Sequence, residues 1–152
     1  MRCRIPKARQ SMLRTGVSLY EGGIVMIIKQ LSIFLENRPG SLDEALAILK
    51  GAGINISALS LADTSEFGLL RLIVDDPEKA RTAIRQAGYT SSVNDVVSVE
   101  LKQEVGYLSG IIKTISEAGI NVEYMYASSS SSSGASMIIK TDDLEKTDSV
   151  AG

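Results

Sequence analysis

The apolar side chains change period abruptly near residue 36. Leu31, Ile33 and Leu35 alternate as in a half-buried strand, whereas Leu42, Ala45, Leu46 and Leu49 recur three and four apart, as on one face of a helix. The pattern predicts a strand over 27–35 and a helix over 41–51, joined by Asn37-Arg38-Pro39-Gly40 and stopped by Gly51 and Gly53. A second strand follows in "INISALSLA", a turn at Asp63, Thr64 and Ser65, and a third strand in "FGLLRLIVD". "DPEKARTAIRQAG" then reads as a helix with Asp76 as its cap, Pro77 in its first position and Gly88 at its end. With a short last strand in "YTSSV" the order is β-α-β-β-α-β, the ferredoxin-like arrangement of two helices on one face of an antiparallel sheet.

The pattern then repeats. Shifting the chain by 66 residues lays "GSLDEALAILKGAGIN" on "GYLSGIIKTISEAGIN" with six of sixteen positions identical. Leu31, Ile33 and Leu35 fall on Val97, Val99 and Leu101, and Leu42, Ala45, Leu46 and Leu49 fall on Leu108, Ile111, Ile112 and Ile115. A duplication that preserves the apolar stripe as well as the words marks two domains of one fold. The expected division is a tail or misassigned start over 1–25, a first domain over 26–94 and a second over 95–152.

The second copy is expected to be the weaker. Six serines, Ser128 to Ser133, occupy the turn between its second and third strands, where they favour a mobile hairpin. Kept at the same shift, "GLLRLIVDD" falls on "GASMIIKTD", and Lys146 and Ser149 replace Ala80 and Ala83 on the last helix, so 143–152 should fray. Gly152 aligns with Gln86, so the second copy lacks its last strand and its first strand should present an open edge.

Composition narrows the chemistry. With 44% hydrophobic and 22% charged side chains in 152 residues, the chain has an ordinary globular make-up, and nothing in it spans a bilayer or reads as a secretory signal. A cytoplasmic protein is expected. The absence of histidine and a single cysteine, Cys3, exclude Cys/His metal clusters and Ser-His or Cys-His catalytic pairs, so no catalytic residue, metal or cofactor is assigned. The first 25 residues carry a net +4 and the other 127 a net −6, an acidic body unlike a nucleic-acid surface.

The strand-to-helix loop holds the candidate chemistry. A glycine there lets the backbone come close to a bound group, and the helix start offers unpaired N–H groups to an anion. Asn37 adds an amide that donates and accepts, and Arg38 a fixed positive charge for a carboxylate. An amino acid, with its carboxylate and ammonium, would suit the place. The same features also have plainer uses: Pro39 and Gly40 as turn punctuation, Asn55 and Asn121 as caps at strand starts, Arg38 as a solvated charge whose counterpart in the second copy is Glu104, and Tyr107, Tyr124 and Tyr126 as interface or surface aromatics.

"ENRPGSLDEALAILKGAGINI" resembles the ACT domain, the small-molecule regulatory module of amino-acid metabolism, and most closely its serine-sensing form in D-3-phosphoglycerate dehydrogenase. The resemblance covers 27–142 as two copies. It implies two ferredoxin-like repeats pairing into a continuous antiparallel sheet, with an amino acid bound between the first loop of one domain and the second strand of the other. The ligand-binding positions the resemblance implies are Asn37, Gly40 and Asn55 in the first copy and their counterparts Gln103, Gly106 and Asn121 in the second, and their loop neighbours Arg38, Pro39, Ser41 and Tyr107 join them as candidates. In the serine-sensing form a histidine stands two residues before the loop asparagine; here the residue is Leu35. The implied partners are an amino-acid ligand, an enzyme of amino-acid metabolism and a second copy in a homodimer, with neither nucleic acid nor membrane. An acylphosphatase-like hydrolase using Arg38 and Asn55, an RNA-binding domain using Phe34 and Phe67, and a protein-interaction module without a small ligand are the alternatives.

Overall fold

A computed structural model describes residues 17–20, 23–63, 66–131 and 134–151. The elements run β1 (Val17–Tyr20), β2 (Gly23–Glu36), α1 (Ser41–Gly51), β3 (Ile56–Asp63), β4 (Phe67–Val74), α2 (Pro77–Gln86), β5 (Ser91–Glu100), α3 (Tyr107–Glu117), β6 (Val122–Ser131), β7 (Gly134–Thr141) and α4 (Leu144–Ala151). They group into two units, one of Lys29–Asp95 and one of residues through Ile28 together with those from Val96 on. Both cuts fall inside a strand, in β2 and in β5.

In the unit Lys29–Asp95 the strands lie in the order β3-β4-β2-β5, all antiparallel where their register is defined, with Ile33 opposite Leu70 and Leu61 also opposite Leu70. One face carries Leu31, Ile33, Leu35, Leu70 and Leu72, which pack on Ala45 and Leu49 of α1 and Ala80 and Ile84 of α2. Burying each of the larger side chains contributes on the order of 2 kcal/mol, and their alternation in the strands fixes the register. Asp76 accepts from the Lys79 N–H at 3.1 Å and Pro77 opens α2, as the sequence predicts.

The expected short last strand at 89–93 and the expected first strand of the second copy are one strand, β5. Asn94-Asp95 does not turn the chain there. Asp95 instead meets Lys29 of β2 at 2.7 Å. The basic segment 1–25, expected as a tail, lies outside the described residues through 16, while 17–20 and 23–25 belong to β1 and β2.

The other unit has the order β2-β5-β7-β6, so the Gly23–Ile28 part of β2 stands where the fourth strand of the fold belongs. Val25 is fully buried with Val97, Val99, Ile111, Ile115 and Ile139. The open edge expected on the first strand of this copy is therefore not open: β5 has a neighbour on both sides.

The last helix also departs from expectation. α4 is formed over Leu144–Ala151 rather than frayed, with Asp143 accepting from the Lys146 N–H at 3.0 Å. The register explains the misreading. Ile33 pairs with Leu70 but Val99 with Met137, and Ser60 with Arg71 but Tyr126 with Ile138, so the repeat offset is 66 before the serine run and 67 after it. One extra residue is accommodated in the serine hairpin, whose pairing shifts register between Ser128 and Ser131. At the corrected offset Ala80 aligns with Thr147, which is buried, and not with exposed Lys146. β6 extends to Ser131, farther into the serines than a turn would allow; Ser132 and Ser133, the centre of the hairpin expected to be mobile, lie outside the described residues.

Among the described residues no helix is long and apolar enough to cross a membrane.

Candidate functional site

β2 ends at Glu36, and the next four residues turn the chain into α1. The turn is held by the Arg38 N–H on the Glu36 carbonyl at 2.9 Å and the Asn37 N–H on the Glu66 carbonyl at 3.3 Å. Gly40 takes φ +90°, the left-handed conformation a side chain would resist, and directly precedes the helix. Since glycine has no side chain, the N–H groups at the start of α1 receive no side-chain cap.

This loop, the end of β3 and Gly68 of β4 enclose a cavity of about 310 Å³. Its lining comprises Leu35, Glu36, Asn37, Arg38, Ser41, Leu42, Leu61, Ala62, Asp63 and Gly68. Ser41 is 3% exposed, and its Oγ is shut from solvent with no hydrogen-bond partner. An orphaned buried hydroxyl costs on the order of 1–3 kcal/mol, which makes its place in a cavity wall informative. The Asn37 amide donates to Asp63 Oδ1 at 3.1 Å, tying the loop to the end of β3.

Arg38 is not a free cation. Its Nε donates to Glu36 at 3.0 Å, and its two terminal nitrogens grip both oxygens of Glu44 at 3.3 and 3.0 Å. The Tyr89 hydroxyl donates to Glu44 at 2.7 Å. The Arg38 hydrogen bonds, then the Tyr89 hydroxyl, hold the Glu44 carboxyl below its ordinary range; the bond to Glu44 raises Tyr89 in turn. A second cavity of about 340 Å³ shares Glu36, Arg38 and Ser41 with the first and is closed by Phe34, Phe67 and residues 87–90. Arg38 and Ser41 thus stand in the walls of both.

Of the positions expected in the first copy, Asn37, Arg38 and Ser41 line one cavity, Pro39 and Gly40 shape the turn, and Asn55 is not in that lining. Asn55 begins β3's approach: its N–H donates to Asp75 Oδ1 at 3.1 Å and its carbonyl accepts from the Asp75 N–H at 3.2 Å. Asn121 makes the same exchange with Asp142, at 3.0 and 3.2 Å. The hydrolase alternative needs Arg38 and Asn55 on one phosphate, yet only Arg38 faces the cavity and its fork is already on a carboxylate.

In the second copy Gly106 repeats the turn at φ +80° and again leaves its helix without a side-chain cap. Around it the side chains differ: Val105 is fully exposed, and the Lys102 ammonium stands 6.0 Å from the Tyr107 ring centre. Gln103 is exposed beside them.

Sequence reasoning missed Asp63, Leu61, Ala62 and Gly68, because the hairpin end they share is brought to the loop by β3–β4 pairing and carries only ordinary turn vocabulary. Glu44 was overlooked as well, although an acid six residues beyond an arginine across a helix start was a readable signal. Among the described residues no group of three or more His, Cys, Asp or Glu could hold a metal ion.

A family model described as "ACT domain pair" matches residues 26–151. Among solved structures, protein BT0572 from Bacteroides thetaiotaomicron is similar at 36% identity, with 83% of this chain and 87% of that one covered and a TM-score of 0.76. The ligand-free regulatory subunit of aspartate kinase from Thermus thermophilus shares the fold at 16% identity, 90% and 96% coverage and TM-score 0.59. The regulatory subunit of aspartate kinase from Thermus flavus does so at 15% identity, 84% and 94% coverage and TM-score 0.57. Comparison with curated proteins gives no significant match.

Proposed function

Because the chain belongs to the ACT domain pair family, we propose that it is a regulatory protein which binds a free amino acid at the Asn37–Ser41 loop and signals occupancy to an enzyme of amino-acid metabolism. The observation that carries the reading is the unpartnered, buried Ser41 hydroxyl at an uncapped helix start, in the wall of a cavity that also presents Asp63. One end of that lining offers donors to a carboxylate and the other an acceptor to an ammonium. The cavity is at the small end of ligand pockets, suited to a metabolite. The loop at Gln103, Gly106 and Tyr107, with Asn121, forms a second, unequal site on this reading. The role is regulatory, not catalytic. β3 and β6, each paired on one side only among the described residues of its unit, are the edges through which two chains would associate.

The test is thermal unfolding of the full chain with each of the twenty amino acids, repeated with Asn37→Ala. A ligand at a hundred times its Kd stabilises the fold by about 2.7 kcal/mol, a rise of several degrees in Tm. One amino acid should give that rise, and the substitution should abolish it. No rise with any of them, at millimolar concentration, removes the proposal and leaves a module that binds only protein.

A further inference from the structure

Resting on the reading that this loop binds an amino acid, we infer that its ligand carries a short, uncharged aliphatic side chain and is held through its ammonium on Asp63, not through its carboxylate on Arg38.

Among the described residues Arg38 is the only cation in the cavity lining, and it is already neutralised. Both terminal nitrogens and Nε face the carboxylates of Glu44 and Glu36. A ligand carboxylate placed there would have to displace one glutamate and lie against the other, a like-charge contact that the cavity has no second cation to offset. Asp63 differs. It is exposed, one oxygen accepts from Asn37, and its other oxygen has no partner among the described residues. A carboxylate with a vacant oxygen at a cavity mouth is the natural acceptor for an ammonium. The carboxylate end then falls to the Ser41 hydroxyl, which has no partner, at the start of a helix that no side chain caps.

The rest of the wall decides the side chain. Leu35, Leu42 and Ala62 are apolar, and Leu61 stands 51% exposed in the same lining. An aliphatic side chain laid on Leu61 removes that surface from water, whereas a charge laid there gives up water for an apolar contact. An acidic side chain lacks a free cation and would meet Glu36 and Asp63 in the same lining, and a long basic one would have to reach past Leu61 and Leu42 to a Glu36 already shared with Arg38. A serine side chain covers less of Leu61 than a valine or leucine side chain does, which sets the preference against serine.

Gly68 offers a graded probe. A Cβ added there would stand 3.4 Å from Leu61 Cδ1 and 3.9 Å from the Leu35 Cβ, narrowing the apolar side without touching Asp63 or Ser41.

The experiment is calorimetric titration of the full chain with valine, leucine, alanine, serine, aspartate, lysine and 3-methylbutanoate, which is valine without its ammonium. Valine or leucine should bind at least about tenfold more tightly than serine, aspartate or lysine, as expected when an aliphatic pocket discriminates by methyl and methylene groups. The unmutated protein should bind 3-methylbutanoate at least about tenfold more weakly than valine. Asp63→Asn should weaken valine to the same degree and leave 3-methylbutanoate unchanged, and Gly68→Ala should weaken leucine more than alanine. A tightest ligand that is polar or charged, or 3-methylbutanoate binding as well as valine, overturns this inference while the amino-acid reading stands. If no amino acid binds, both fall together.

Discussion

Two side chains, Arg38 and Tyr89, converge on Glu44, and its titration should be visible through one of them. The Tyr89 hydroxyl bonds to a carboxylate that Arg38 keeps ionised, so Tyr89 ionises above its ordinary value of about 10. A raised folded-state value means that the contribution of Tyr89 to stability is complete below that ordinary value and is lost as pH rises through the raised one. For Glu44, whose value is lowered, the contribution is present above the ordinary glutamate range and is lost only as pH falls through the lowered value. Ultraviolet titration of tyrosinate, with Tyr89→Phe subtracted, should therefore place Tyr89 above the ordinary tyrosine value, and Glu44→Gln should bring it down toward that value. A Tyr89 signal unmoved by Glu44→Gln would mean that the bond does not persist in solution. The same network shows which parts of the site could be read from the chain. Asn37, Arg38, Gly40 and Ser41 were legible because strand-to-helix turns have a local chemistry. That Arg38 is spent on Glu44, which Tyr89 holds from 45 positions away, was not, since charge pairing is a property of the fold.

At the level of elements, period and punctuation were enough to find α1, α2, α3 and the paired hairpins, and the error was one residue long. A single residue added within a run of identical serines leaves no trace in the sequence, so an unchanged offset lays the wrong side chains on the apolar stripe of α4. The structure puts Thr147 there, and its hydroxyl is satisfied on both sides. It donates to the Asp143 carbonyl at 2.6 Å and accepts from Thr141 Oγ1 at 2.7 Å, with both threonines buried. A buried pair of this kind predicts strong coupling. Thr147→Val removes one partner and leaves the Thr141 hydroxyl stranded, a cost of about 1–3 kcal/mol, whereas Thr141→Val with Thr147→Val removes both needs together. In urea unfolding the double variant should be destabilised by clearly less than the sum of the singles. Additive losses would show that α4 is not fastened to β7 through these hydroxyls.

For the whole molecule, the question is which core a strand serves. The boundary between the two units passes through β2 and β5, so chain order and core membership part company: Val25 precedes the first copy of the repeat but is buried among residues of the second. Neither repeat detection nor periodicity could reveal this, because a fourth strand supplied from the other end of the sequence has no counterpart at the repeat offset. The physical reason for the arrangement is the edge it covers. Val97 and Val99 lie on a strand that would otherwise end the sheet of its unit, and an open apolar edge invites association with other chains. Val25→Ala deletes two buried methyl groups and should cost about 2 kcal/mol. That loss belongs to the core of Val97, Ile111 and Ile139, not to the core of Leu31, Leu49 and Ile84. Native-state hydrogen exchange should therefore accelerate more in β6, β7 and α3 than in α1 and α2, since a segment opens more readily when the packing beneath it is weakened. Equal acceleration in both sets would show that the strands running through both units weld them into one cooperative body, with no separate stability for either core.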